Sequence, residues 1–191
     1  GPIQLPQSCK IRLVALGWKH GHIVIDNNNL YSWGTGKSHR LGNENKMDSE
    51  IPIKINDIPP NFDFKMIQCG DAFSAAISKS GELLAWGHKY GHKPTRVELP
   101  HPAKYLSCGT TAICCALEDG SVVCFDESIT DKKIHRVPGE KIIMTAAGKG
   151  HFLALTASGK VYSWGSDYCG HDGDRSSPTL LQVTGSPSIK V

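Results

Sequence analysis

GWKHGHIVIDNNNLYSW, residues Gly17–Trp33, decides the fold because the chain repeats it. Copies stand at Gly70–Trp86 (GDAFSAAISKSGELLAW), Gly109–Phe125 (GTTAICCALEDGSVVCF) and Gly148–Trp164 (GKGHFLALTASGKVYSW). The aromatic follows the glycine by sixteen positions in all four copies. Self-similarity at a period of about 40 to 50 residues marks a repeat architecture and outweighs any lone motif.

Within each copy the pattern is that of strands. Leu16, Cys69, Cys108 and Ala147 precede the glycine and close apolar runs such as IRLVAL and KMIQC. The pairs Ile23-Val24, Ala76-Ile77, Cys115-Ala116 and Ala154-Leu155 follow it. Asn28, Gly81, Gly120 and Gly159 then supply residues that tolerate the positive φ of a tight hairpin. A further strand leads to Trp33, Trp86, Phe125 or Trp164. A fourth strand is announced by Pro52, Pro94 and Pro178, and the expected place for each proline is the start of an edge strand. Four such strands make a blade, and blades arranged radially make a β-propeller. No segment carries a helical apolar period, so the class is all-β.

A large ring at a fixed site in every blade predicts packing between blades. The third copy departs from the pattern, with Phe125-Asp126 for Trp-Gly and Lys132-Lys133-Ile134 in place of the proline. Its blade is expected to be the least regular. The units run over about 11–55, 64–99, 103–137 and 142–183, as one repeat domain of four-stranded blades.

Composition sets outer limits. The chain of 191 residues is 39% hydrophobic and 20% charged, with 20 Gly and 11 Pro, which is globular and rich in turns. The net charge of +3 arises without a basic run, so charge gives no reason to expect nucleic acid. No apolar run reaches the roughly 20 residues of a membrane helix. The seven cysteines (Cys9, Cys69, Cys108, Cys114, Cys115, Cys124 and Cys169) are odd in number and lack any Cys-x-x-Cys. They read as free, buried thiols in a cytoplasmic or nuclear protein.

Length varies mainly between the aromatic and the strand proline, where the gap is 19, 8 and 14 residues in copies one, two and four. Insertions in repeat proteins gather on one face, often the binding face. The long loops 35–51 and 165–177 carry Lys37, His39, Arg40 and Lys46, and Asp167, Asp172, Asp174 and Arg175. INDIPPNFDF is a third insertion, at the opposite end of the blade.

The glycine, the His three residues on (His20, His151), the Ala-Leu, the Gly turn and VYSWG together resemble the regulator-of-chromosome-condensation repeat. KSHRLGNEN followed by SEIPIKI is similar to the Gly-x-Leu-Gly and Pro-x-x-Val segment of that family. The resemblance spans about Ile11 to Val183 and implies a propeller. Members of the family usually close seven blades, and four hairpin units are present here. The reading favours part of a larger ring, or a partial propeller completed by another chain, over a small closed ring.

No local signature supports catalysis. A Gly-x-Ser-x-Gly elbow and a phosphate-cradling glycine loop are both missing. His88 and His92 fall on a turn, and Cys169 and His171 sit in an acidic loop without an EF-hand pattern, so neither metal nor cofactor is expected. His20 and His151, beside a tight turn, read as caps on backbone carbonyls of their own or the next blade. Trp18 lies outside the repeated aromatic site, and its equivalents are Asp71, Thr110 and Lys149. A photoreceptor reading, which would need tryptophans stacked from neighbouring blades, is therefore set aside.

The expected function is a non-enzymatic protein-interaction scaffold. Lys37, His39, Arg40, Tyr90, Arg96, Tyr168 and Arg175 are the candidate contacts, because interfaces rest on a few aromatic or arginine anchors. The resemblance also implies two alternatives: guanine-nucleotide exchange on a Ran-like small GTPase, or an adaptor domain of a ubiquitin ligase or kinase. No exchange-active residue maps onto the chain.

Overall fold

The computed structural model describes residues 9–126, 130, 132–165 and 175–181. They form four antiparallel sheets of four strands, each a simple meander. The first contains β1 (Ile11–Leu16), β2 (His20–Ile25), β3 (Leu30–Gly34) and β4 (Ser49–Ile55). The second contains β5 (Phe64–Cys69), β6 (Phe73–Ser78), β7 (Leu83–Gly87) and β8 (Gly91–Val97). The third contains β9 (Ala103–Cys108), β10 (Ala112–Leu117), β11 (Val122–Asp126) and β12 (Lys132–His135). The fourth contains β13 (Ile142–Ala147), β14 (His151–Thr156), β15 (Val161–Gly165) and β16 (Arg175–Leu180). At four residues β12 is the shortest strand, as the irregular third copy predicts.

The prolines need a correction. Pro52 and Pro94 stand fourth in seven-residue strands, not at their starts. In β4, β8 and β16 the proline falls where the register shifts against the neighbouring strand. A bulge on an edge strand leaves one residue outside the ladder, and a residue without an N–H costs least there.

The core lies between blades. One cluster joins Val24, Leu30 and Ile55 of the first sheet to Phe64, Ile67, Leu84 and Trp86 of the second. A second joins Phe73, Ile77 and Leu83 to Leu106, Ile113 and Phe125. A third joins Ala112, Ala116 and Val122 to Ile142, Phe152 and Trp164. Each repeat aromatic thus points back at the preceding blade. Trp33 holds the same position, but among the described residues no blade packs before it, and it stays only partly buried. Val14 is 68% exposed, whereas Ile67 and Leu106, at the same register position, are 3% and 1% exposed.

The repeat glycines mark the closest approach of the blades. A Cβ on Gly17 would lie 2.5 Å from the Gly70 carbonyl oxygen, and one on Gly70 would lie 2.7 Å from that of Gly109. Gly109 stands in the same relation to Gly148. Their backbones avoid the left-handed region, so space, not φ, demands glycine here.

The cysteine reading fails at one pair. Cys114 and Cys124 face each other across β10 and β11 and form a disulfide. Hairpin register brings them together, which neither the odd count nor a missing Cys-x-x-Cys reveals. Cys9, Cys69, Cys108 and Cys115 are free, and only Cys115 among them is fully buried. The compartment inferred from seven free thiols loses that support.

Candidate functional site

The β1–β2 and β3–β4 turns and their equivalents gather at one end of the blades. The 35–48 loop dominates that end. A single 3-10 turn at Lys37–His39 opens it, with Ser38 and His39 at positive φ. Arg40 then turns inward, 6% exposed: its Nε donates to the Lys37 carbonyl (2.8 Å) and its Nη1 to the Asp71 carbonyl (3.0 Å). The Arg40 carbonyl accepts from Trp86 Nε1 at 3.1 Å, and Leu41 is wholly buried. The Ser32 hydroxyl donates to the Leu41 carbonyl, and the Gly36 N–H donates to Asp48 Oδ1, both at 2.9 Å. His39 stacks on His92 of β8 with centroids 4.0 Å apart, and Lys93 pairs with Glu44 at 2.7 Å. The loop is therefore bolted to its own blade and to the next.

The predicted contacts separate accordingly. Lys37 is exposed and His39 half-buried on this face. Arg40 is a structural bolt. Tyr90 is also structural: it is 3% exposed and its hydroxyl donates toward the carbonyls of Thr111 (2.9 Å) and Phe125 (3.2 Å). Neither is available to a partner, because tertiary contacts consume their polar groups. Arg96 is exposed but pairs with Glu82 of the β6–β7 turn at 3.1 Å, at the opposite end of the blade. Tyr168, Cys169, His171 and the acidic residues of the 165–177 loop lie outside the described residues, as does the Arg175 side chain.

Residues not singled out as contacts fill the face. Met47 is 74% exposed, and Trp18 is 69% exposed with Lys19 Nζ 4.6 Å from its ring centroid. Lys46 and Lys89 are exposed beside them. An apolar residue inside a polar insertion, as in NENKMDSE, is the signal that could have flagged Met47.

Behind the loop lies a buried polar cluster. Both His20 Nε2 and His22 Nε2 stand 2.8 Å from Ser74 Oγ of the second blade. Ser74 Oγ is 3.3 Å from the Arg40 carbonyl and 3.9 Å from Cys69 Sγ. One consistent arrangement has both rings donating to the hydroxyl and the hydroxyl donating to Arg40. Burial, then the Arg40 charge, lowers His20 to about 4, against a smaller opposing effect of the Phe73 backbone. The principal partner of His20 is thus a hydroxyl of the next blade.

Residues 27–77 and 145–170 each match the Regulator of chromosome condensation (RCC1) repeat. Two stretches of the chain are thus RCC1-type repeats. The chain is 29% identical over 167 residues to the Ultraviolet-B receptor UVR8 of Arabidopsis thaliana, a match covering 85% of this chain and 32% of that one. Its fold is similar to that of human WBSCR16, with TM-score 0.82 and 18% identity over 97% of this chain and 56% of that one. Prp20p of Saccharomyces cerevisiae, whose structure was described with its binding to Gsp1p and histones, gives TM-score 0.78 and 18% identity, covering 95% and 52%. The chain therefore spans about half the length of those structures and a third of the receptor. Among the described residues no helix is long and apolar enough to cross a membrane.

Proposed function

We propose that this RCC1-type chain is a non-enzymatic protein-interaction scaffold whose contact surface is the end carrying residues 17–19, 35–48 and 88–89. The observation that carries the reading is the construction of the 35–48 loop. Arg40 and Leu41 are buried beneath it, while Lys37, Lys46 and Met47 are exposed above. A loop fixed before binding loses little entropy on contact, so few side chains suffice for affinity. Met47 and Trp18 supply apolar anchors within a rim of Lys19, Lys37, Lys46 and Lys89, set against Glu44, Asp48 and Asp71. That balance suits a protein partner with an acidic surface.

Nucleotide exchange on a Ran-like GTPase is the second reading, favoured by the likeness to Prp20p. Exchange needs residues that displace nucleotide, and fold likeness does not supply them.

The test captures partners from a lysate with the wild-type chain, with Lys37→Glu/Met47→Asp, and with Arg96→Glu at the opposite end. The scaffold reading expects specific partners that the double variant loses and Arg96→Glu keeps. Equal retention by all three overturns the assigned face. Faster release of labelled GDP from Ran in the presence of the chain would replace the scaffold reading with exchange.

A further inference from the structure

The boundary between the first and second blades is polar at a position where the other boundaries are apolar. His20, His22, Cys69 and Ser74 meet there. By register, Phe73, Ala75, Cys108 and Ile113 occupy those positions at the next boundary, and Ala112, Cys114, Ala147 and Phe152 at the one after. Both of those sets pack in apolar clusters. The fold closes without polar groups here, so the first boundary carries them for some other reason.

We propose that His20, His22 and Cys69 form a binding site for one zinc-like transition-metal ion, with the Ser74 hydroxyl or a water as fourth ligand. Alternation along β2 puts both imidazoles of His20-Gly21-His22 on one side of the strand. Both Nε2 atoms aim at a single point, now held by Ser74 Oγ at 2.8 Å from each. The candidate ligand atoms of His20, His22 and Cys69 all lie within 4.8 Å of one another. Tetrahedral zinc, with Zn–N of about 2.0–2.1 Å and Zn–S of about 2.3 Å, needs ligand separations of roughly 3.3–3.8 Å. A side-chain contraction of about 1 Å, with Ser74 Oγ giving up the shared point to the ion and moving to the fourth position or yielding it to water, satisfies that geometry.

Both rings are buried, 4% and 0% exposed, so an ion held by their Nε2 atoms would be shielded from bulk water. Cys69 also lines a cavity of about 280 Å³ shared by all four blades, together with Gly17, Gly70, Gly109 and Gly148, so the thiol borders open space. Two imidazoles and a thiolate select zinc or copper over magnesium or calcium. On binding, a metal–Sγ bond forms, the Cys69 S–H bond breaks and its proton passes to solvent.

Chelator-treated, reduced protein is titrated with Zn²⁺ against a chromophoric chelator, and separately with Co²⁺. The site predicts one Zn²⁺ per chain and a thiolate-to-Co²⁺ charge-transfer band. It also predicts a melting temperature that rises with zinc concentration. Cys69→Ala weakens binding at least tenfold and abolishes the band and the thermal shift, while His92→Gln, a histidine outside the cluster, changes none of them. Folding of each variant is checked by circular dichroism. Absence of stoichiometric uptake by the wild type, or undiminished uptake by folded Cys69→Ala, overturns the proposal. If Cys69→Ala does not fold, a Co²⁺ spectrum of the wild type without a sulfur band does so instead.

Discussion

Trp86 Nε1 donates to the carbonyl oxygen of Arg40 at 3.1 Å, a bond that crosses from the second blade to the long loop of the first. The ring also meets His22 edge-on with centroids 5.3 Å apart. One aromatic side chain therefore packs the blade boundary and fixes the loop that forms the proposed contact face.

Trp86→Ala is expected to cost about 3–5 kcal/mol, the range for emptying a large aromatic site. Trp33→Ala, at the same repeat position but only partly buried, costs less, since part of its ring already meets solvent. Urea unfolding of both variants measures the difference. Equal costs would refute the assignment of boundary packing to Trp86.

Gly109→Ala pushes a methyl group against the carbonyl of Gly148. Overpacking against backbone that cannot yield costs about 3 kcal/mol. Gly159→Ala meets nothing within 4 Å and loses only the freedom of a left-handed turn at φ +83°, about 1–2 kcal/mol. The ranking of the two midpoints in denaturant is the check.

Acid should loosen the first blade boundary. His20 titrates at about 4 in the folded chain against an ordinary 6.5, chiefly because burial disfavours its charged form. His22 is shifted in the same direction by burial and by His20. Protons therefore bind the unfolded chain first. The stabilisation is full above pH 6.5 and is lost progressively as pH falls to about 4. For His20 the total is on the order of 3 kcal/mol. Unfolding of the chelator-treated protein at pH 7.5, 5.5 and 4 measures it, and His20→Gln flattens the profile over that interval.

Thiol counting tests the pairing of Cys114 with Cys124. Denatured, unreduced protein should show two fewer reactive thiols than reduced protein. Their sequence separation of 10 closes a short loop, so reduction destabilises the chain by about 2–3 kcal/mol on the loop-entropy account. An unchanged count removes the disulfide.

The division between sequence and tertiary structure follows from the range of the forces involved. Strand alternation, hairpin glycines and the interval from Gly17 to Trp33 are local, so four β hairpins and their stacking were written in the order of residues. The reason for the glycines was not. Gly70 and Gly109 look like turn residues, yet the Phe73 ring and the Gly109 carbonyl exclude a side chain at Gly70, and the Gly148 carbonyl of the next blade excludes one at Gly109. Arg40 and Tyr90 looked like surface anchors because long loops and short turns are usually exposed. Whether such a side chain reaches water or a neighbouring carbonyl depends on the blade beside it. Met47 could rise above the loop only because Arg40 and Leu41 had sunk beneath it. Cys114 and Cys124 were brought face to face by strand register, and His20 and His22 were brought to Cys69 and Ser74 by the meeting of two blades. Sequence alone determines what each blade is made of; only packing between blades decides which polar groups are consumed and which remain available to bind.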